Sequence, residues 1–129
     1  MIHVVDTHAL LWHIEGSSSL SRSARHVLAG TVDPLVVPII VLAEARYAIA
    51  KQRTTVGWQD LLNWLNTDDR FRVDVLDLDL VQRAPTGLEM HDAFICATAL
   101  AHQEAVGEPV QVITRDRRIR NSGLVETVW

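Results

Sequence analysis

The chain has 129 residues, 48% of them hydrophobic, which is enough for a packed core and too much for a disordered segment. A formal charge of −4 argues against a protein that holds nucleic acid by a basic surface alone, and a single cysteine, Cys96, excludes an internal disulfide. The apolar stretch Leu35 to Ala43 is interrupted by Pro38 and ends at Glu44, so no membrane span is expected.

The N-terminus lacks a basic region and a cleavage site, which argues against a signal peptide. The unpaired cysteine suits a reducing cytoplasm. The length predicts one domain over residues 1–129.

In chain order, Ile2 to Val5 reads as a strand buried on both faces, closed by Asp6. Helical spacing begins near Ala9. Gly16 to Ser19 is a loop, and Ser21 caps a helix from Arg22 to about Ala29. After the Asp33-Pro34 turn, Leu35 to Pro38 reads as a second buried strand, with Pro38 ending the ladder. A helix from about Val41 to Gln52 is apolar nearly all round and carries Glu44 in its first turn. Trp58, Leu61, Leu62 and Leu65 form the stripe of another helix, expected to pack on the previous one.

Phe71, Val73 and Val75 alternate with Arg72 and Asp74 as in a half-exposed edge strand. A short helix from about Asp79 to Ala84 stops at Pro85. Asp92 then opens an alanine-rich apolar helix through Ala101. Val110 to Thr114 is a further strand, and Leu124 to Val128 a last edge strand. Strands alternating with helices predict βαβ units, hence an α/β fold around a mostly parallel twisted sheet.

In such a sheet the carboxyl ends of the strands share one rim, where ligands bind. Asp6 and Asp116 follow strands there, and Glu44 and Asp92 begin helices at the same rim. Four carboxylates beside an apolar core need compensation, and a hard divalent cation such as Mg²⁺ supplies it. At least one of them is expected to have a raised pKa without metal. Asp116→Asn is then expected to be neutral or stabilising. Each acid also has a plain reading as a cap or turn residue; Glu44, in an apolar helix, is the hardest to dismiss.

The segments Asp6-Thr7-His8-Ala9-Leu10-Leu11-Trp12, Leu42-Ala43-Glu44-Ala45, Asp92 to Leu100, and Ile113-Thr114-Arg115-Asp116-Arg117-Arg118-Ile119 resemble the four motifs of PIN-domain ribonucleases. The match is closest to VapC-like toxins of type II toxin–antitoxin systems. That resemblance implies a PIN-like α/β/α sandwich and Mg²⁺- or Mn²⁺-dependent endoribonuclease activity. It also implies a VapB-like antitoxin as partner and a homodimer. It carries catalytic and metal-ligand roles onto Asp6, Glu44, Asp92 and Asp116, with Thr114 supporting them from behind. Many relatives have Asp-Pro-x-Asp where this chain has Glu89-Met90-His91-Asp92, which puts a supporting role for Glu89 in doubt.

Arg115, Arg117, Arg118 and Arg120 flank Asp116 and suit RNA phosphates, although a solvated loop explains them equally well. The histidines form no zinc spacing, and His8 and His91 read as polar filler. Trp12, Trp58 and Trp64 fit helix stripes as core or interface, and Cys96 as packing. A receiver domain would need a late lysine, but the only lysine is Lys51. A haloacid-dehalogenase-type phosphatase would need Asp-x-Asp where the chain has Asp6-Thr7-His8. A catalytically silent PIN-like module that engages only its antitoxin remains the alternative.

Overall fold

In the computed structural model, which describes residues 1–129, the two most apolar runs lie side by side. β1 (His3–Val5) and β2 (Leu35–Pro38) are buried along their whole length. Helices cover both faces of their sheet, so each face demands apolar side chains. β3 (Phe71–Asp74) pairs outside β2, and β4 (Gln111–Ile113) and β5 (Glu126–Val128) complete the other side. The order is β3-β2-β1-β4-β5, and every pairing is parallel.

Parallel strands need crossovers, and helices supply them. α1 (Thr7–Glu15) and α2 (Arg22–Leu28) join β1 to β2; α3 (Ile39–Ala50) and α4 (Trp58–Thr67) join β2 to β3. α5 (Leu78–Arg83) and α6 (Met90–Val106) return the chain to β4, and α7 (Arg117–Asn121) leads to β5. Right-handed crossovers put α1–α4 on one face and α5–α7 on the other. The chain leaves central β1 towards β2 and later returns beside it as β4. The rim beyond β1 and β4 is therefore the switch point where open α/β sheets form their crevice. No helix is long and apolar enough to cross a membrane.

Several elements differ from the sequence reading in ways that move functional residues. α1 begins at Thr7, with Asp6 as its N-cap. α3 starts directly after Pro38, so Glu44 lies in its second turn, not its first. α6 starts at Met90 behind Glu89, so Asp92 is inside the first turn and is not the cap. Pro38 and Glu89 make no side-chain capping bond, so neither start carries the usual polar signal.

The arginine-rich stretch forms α7 and is not a loop; Asp116 caps it and fully buried Ile119 anchors it. α4 lies against β3 and meets α1 through Trp64 and His13, whose rings are 5.2 Å apart. Its link to α3 runs through Arg46 over Trp58. Of the three alternating residues in the edge strand only Phe71 is buried; Val73 and Val75 stay exposed.

Candidate functional site

Asp6 sits where β1 hands over to α1. Its Oδ1 accepts from the Thr7 backbone N–H at 2.7 Å, and its Oδ2 accepts from the Thr114 hydroxyl at 2.5 Å. The same hydroxyl oxygen accepts from the Asp116 N–H at 3.0 Å. Thr114 is completely buried, and it ties the acid beyond β1 to the acid beyond β4. Burial raises the Asp6 pKa above the usual carboxylate range. The bonds from Thr114 and Thr7 oppose the rise, and the charge of Asp116 adds to it.

Glu44 comes from α3. Its Oε1 is buried, and the buried Thr7 hydroxyl faces the carboxylate and helps to hold its charge without a well-formed hydrogen bond. His91 Nδ1 lies 3.5 Å from its other oxygen. Burial raises the Glu44 pKa, partly offset by His91 and reinforced by Asp6. Asp92 comes from α6, and its Oδ2 is also buried and has no hydrogen-bond partner. Its pKa is raised by burial and then by the charge of Asp116, against the pull of Arg118.

Asp116 behaves differently. Burial alone would raise its pKa, but bonds from the backbone N–H and side chain of Arg118 outweigh this and lower it. Oδ1 caps α7 through the Arg118 N–H at 2.8 Å, and Oδ2 faces the Arg118 guanidinium at 3.4 Å. The rim thus holds three carboxylates with raised pKa values and one with a lowered value, where the sequence led to the expectation of at least one raised. No three acidic, histidine or cysteine side chains close to within reach of one ion. Mutual repulsion and the hold of Arg118 on Asp116 both favour this open arrangement.

A family model described as PIN domain matches residues 3–123, a span that includes all four acids. The chain belongs to the PIN-domain family. Its fold is also similar to a chain in the crystal structure of VapBC2 from Rickettsia felis bound to a DNA fragment from their promoter. The TM-score is 0.69 at 15% identity, covering 100% of this chain and 99% of that one. No curated protein sequence matches the chain.

The acids of this PIN domain have the donor chemistry for a hard divalent cation. They are oxygen ligands, two with a buried oxygen that lacks a well-formed hydrogen bond, in carboxyl groups that resist ionisation without a counter-charge. Asp6, Glu44 and Asp92 could hold such an ion only by drawing closer together than they stand here, and Asp116 only if Arg118 released it.

The four arginines divide by contact. Arg118 NH1 lies 2.7 Å from Glu89 Oε1, and its Nε lies 3.8 Å from Asp92 Oδ2. With Asp116, it therefore draws three acids together, and the charge of Glu89 also adds directly to the raised pKa of Asp92. Arg115 instead lies over the Trp12 ring, 4.7 Å from its centroid. Arg117 and Arg120 line an open depression with Asn121 and Thr127.

The sequence reading missed Thr7, whose buried hydroxyl faces Glu44; a hydroxyl directly after a strand-end acid was its only signal. It also missed Arg118 as an internal counter-charge. Buried Cys96, read as packing, has its thiol pushed up to about 11 by burial and then by Asp92 and Asp6. It stays protonated and inert.

Proposed function

We propose that this PIN domain is a divalent-metal-dependent endoribonuclease, the toxin of a toxin–antitoxin pair acting in the cytoplasm. The observation that carries the reading is the pair of buried carboxylate oxygens on Glu44 and Asp92 that lack a well-formed hydrogen bond, beside Asp6 at the sheet's switch point. Burying such oxygens is costly unless a cation is to meet them. Mg²⁺ or Mn²⁺ held by Asp6, Glu44, Asp92 and Asp116 would activate water and neutralise charge developing on a phosphodiester.

The chain's own residues do the positioning. Thr114 fixes the rotamer of Asp6 and the backbone of Asp116 together. Asp6 spends Oδ1 on the α1 N-terminus, which keeps its carboxylate aimed along the rim. The geometry offers no Ser–His or Cys–His nucleophile pair at the rim, which favours water as the attacking group.

Purified protein with Mg²⁺ or Mn²⁺ is expected to cut single-stranded or looped RNA, and EDTA to stop it. Full cleavage in EDTA removes the metal from the mechanism. Failure with both ions favours the silent, antitoxin-only module, a reading supported by the internal neutralisation that Arg118 already provides.

The partner reading draws on a cleft of about 330 Å³ between α1 and α3, lined by Leu11, Trp12, Ile40, Tyr47 and Ala48 and open to Glu44. An amphipathic inhibitor helix suits it, and a basic side chain at its end would reach the acids. The proposed docking site therefore lies between α1 and α3. A second copy of the chain fits the exposed apolar strip of Val73, Val75, Leu78 and Val81 along the β3 edge and α5. Co-purification with a VapB-like antitoxin should protect α1 and α3 amides from exchange, and light scattering should give two copies of the toxin. Protection confined elsewhere refutes the cleft, and a single copy refutes the strip.

A further inference from the structure

We propose that His8, Trp12 and Arg115 form a shelf on which a base of single-stranded RNA stacks beside the acidic rim; this rests on the endoribonuclease reading. His8 and Trp12 lie four residues apart on α1 and so share a face. Their ring centroids are 5.2 Å apart at an interplanar angle of 41°. The Arg115 guanidinium lies 4.7 Å from the Trp12 ring centroid, and Trp129 backs the indole at 5.8 Å. Trp12 is half-buried, whereas His8 and Arg115 are exposed.

The shelf is attached to the site at both ends. His8 follows Asp6 by two residues, and Arg115 sits between Thr114 and Asp116. The cleft that His8 and Trp12 line continues to Thr7, Glu44 and His91. A cluster built only for packing would bury its members, yet two of these three stand in solvent. Arg115 forms no ion pair in a chain of net charge −4, while neighbouring Arg118 binds three acids.

The chemistry favours a base. The acids repel phosphate, so affinity for RNA must come from groups outside them. Aromatic rings and guanidinium planes stack with any base, and each stacked base contributes about 1–3 kcal/mol by alanine substitution. An inhibitor helix is better served further along the cleft, where Leu11, Ile40, Tyr47 and Ala48 offer aliphatic surface. Arg117 and Arg120, beyond Asp116, are placed to take the phosphates that follow.

The test is equilibrium binding of a labelled single-stranded RNA of mixed sequence, in EDTA at low salt. Abasic residues are scanned along the strand. One abasic position should weaken binding to wild type roughly tenfold. His8→Ala and Arg115→Ala, both at exposed positions, should weaken the intact strand and remove the abasic sensitivity. Trp12→Leu should do the same if it folds.

The shelf is overturned if wild type does not bind, if no abasic position matters, or if the sensitivity survives in both exposed variants. It is also overturned if those variants lose affinity for a co-purified inhibitor but not for RNA. The same preparation is assayed for cleavage with Mg²⁺. Cleavage without abasic sensitivity defeats the shelf alone; abasic-sensitive binding without cleavage defeats the endoribonuclease reading and leaves the shelf as an RNA site.

Discussion

Asp6→Asn, Glu44→Gln and Asp92→Asn should each lower metal-dependent RNA cleavage by orders of magnitude, with Asp116→Asn the mildest of the four acid substitutions. Each of the first three removes a carboxylate whose pKa is raised above all by burial, and so a charge that a bound cation would compensate. Asp116 already spends Oδ1 on the α7 cap and shares Oδ2 with Arg118. Asparagine retains the cap, so less is lost.

Thr114→Val should fall between these cases, at roughly 10–100-fold, the usual cost of losing a group that orients a ligand. Its hydroxyl donates to Asp6 and accepts from the Asp116 N–H, so valine frees both acids at once. Turnover at saturating Mg²⁺, on variants with native circular dichroism, checks the series. An Asp6→Asn enzyme with near-wild-type turnover would sink the mechanism. An Asp116→Asn enzyme more damaged than Asp92→Asn would show that Arg118 does not relieve Asp116 as the apo geometry implies.

The elements that position this site were legible to very different degrees. β1 and β2 could be read because a strand buried on both faces must be apolar throughout, and Val4, Val5, Val36 and Val37 are. With the later strand before Asp116, that placed Asp6, Glu44 and Asp116 on one rim by topology alone. The starts of α3 and α6 were not legible, since Pro38 and Glu89 cap without a side-chain bond. Asp92 resembled a cap because aspartate so often is one.

α7 was hidden by its composition. Four arginines between 115 and 120 look like a solvated loop, and one buried residue, Ile119, anchors a helix that takes in three of them. Two of those arginines have separate surroundings that depend on side-chain reach in three dimensions. Arg118 turns back onto acids from α6 and its own cap, and Arg115 onto an indole from α1. Sequence spacing carries no information about that division.

Without metal, Asp92→Asn should make the protein more stable than wild type at neutral pH, and the gain should vanish in acid. The Asp92 carboxyl has a folded pKa raised first by burial, then by Asp116. The folded state therefore holds that proton more tightly than the unfolded chain does. The associated stability is fully present below the unfolded carboxylate value and is lost as pH rises through the raised folded value. At neutral pH wild type carries a penalty that asparagine, which cannot ionise, does not.

Asp6 and Glu44 have the same sign. Asp116 has the opposite one: its lowered pKa gives stability present above the unfolded value and lost as pH falls through the folded value. Asp116→Asn is therefore expected to be neutral to slightly destabilising in EDTA, which reverses the expectation drawn from the sequence. Buried His3 and half-buried His13, whose pKa values are lowered mainly by burial, also destabilise the fold in acid. The quantity to follow is thus the variant-minus-wild-type difference in melting temperature, where their contribution cancels.

Mg²⁺ should raise the wild-type melting temperature by binding only the folded state, and raise that of Asp92→Asn much less. Thermal unfolding across pH, in EDTA and in Mg²⁺, measures all of this. An Asp92→Asn protein clearly less stable than wild type in EDTA at neutral pH would mean that the buried Oδ2 already has a favourable partner, and the case for a cation at this rim would lose its physical basis.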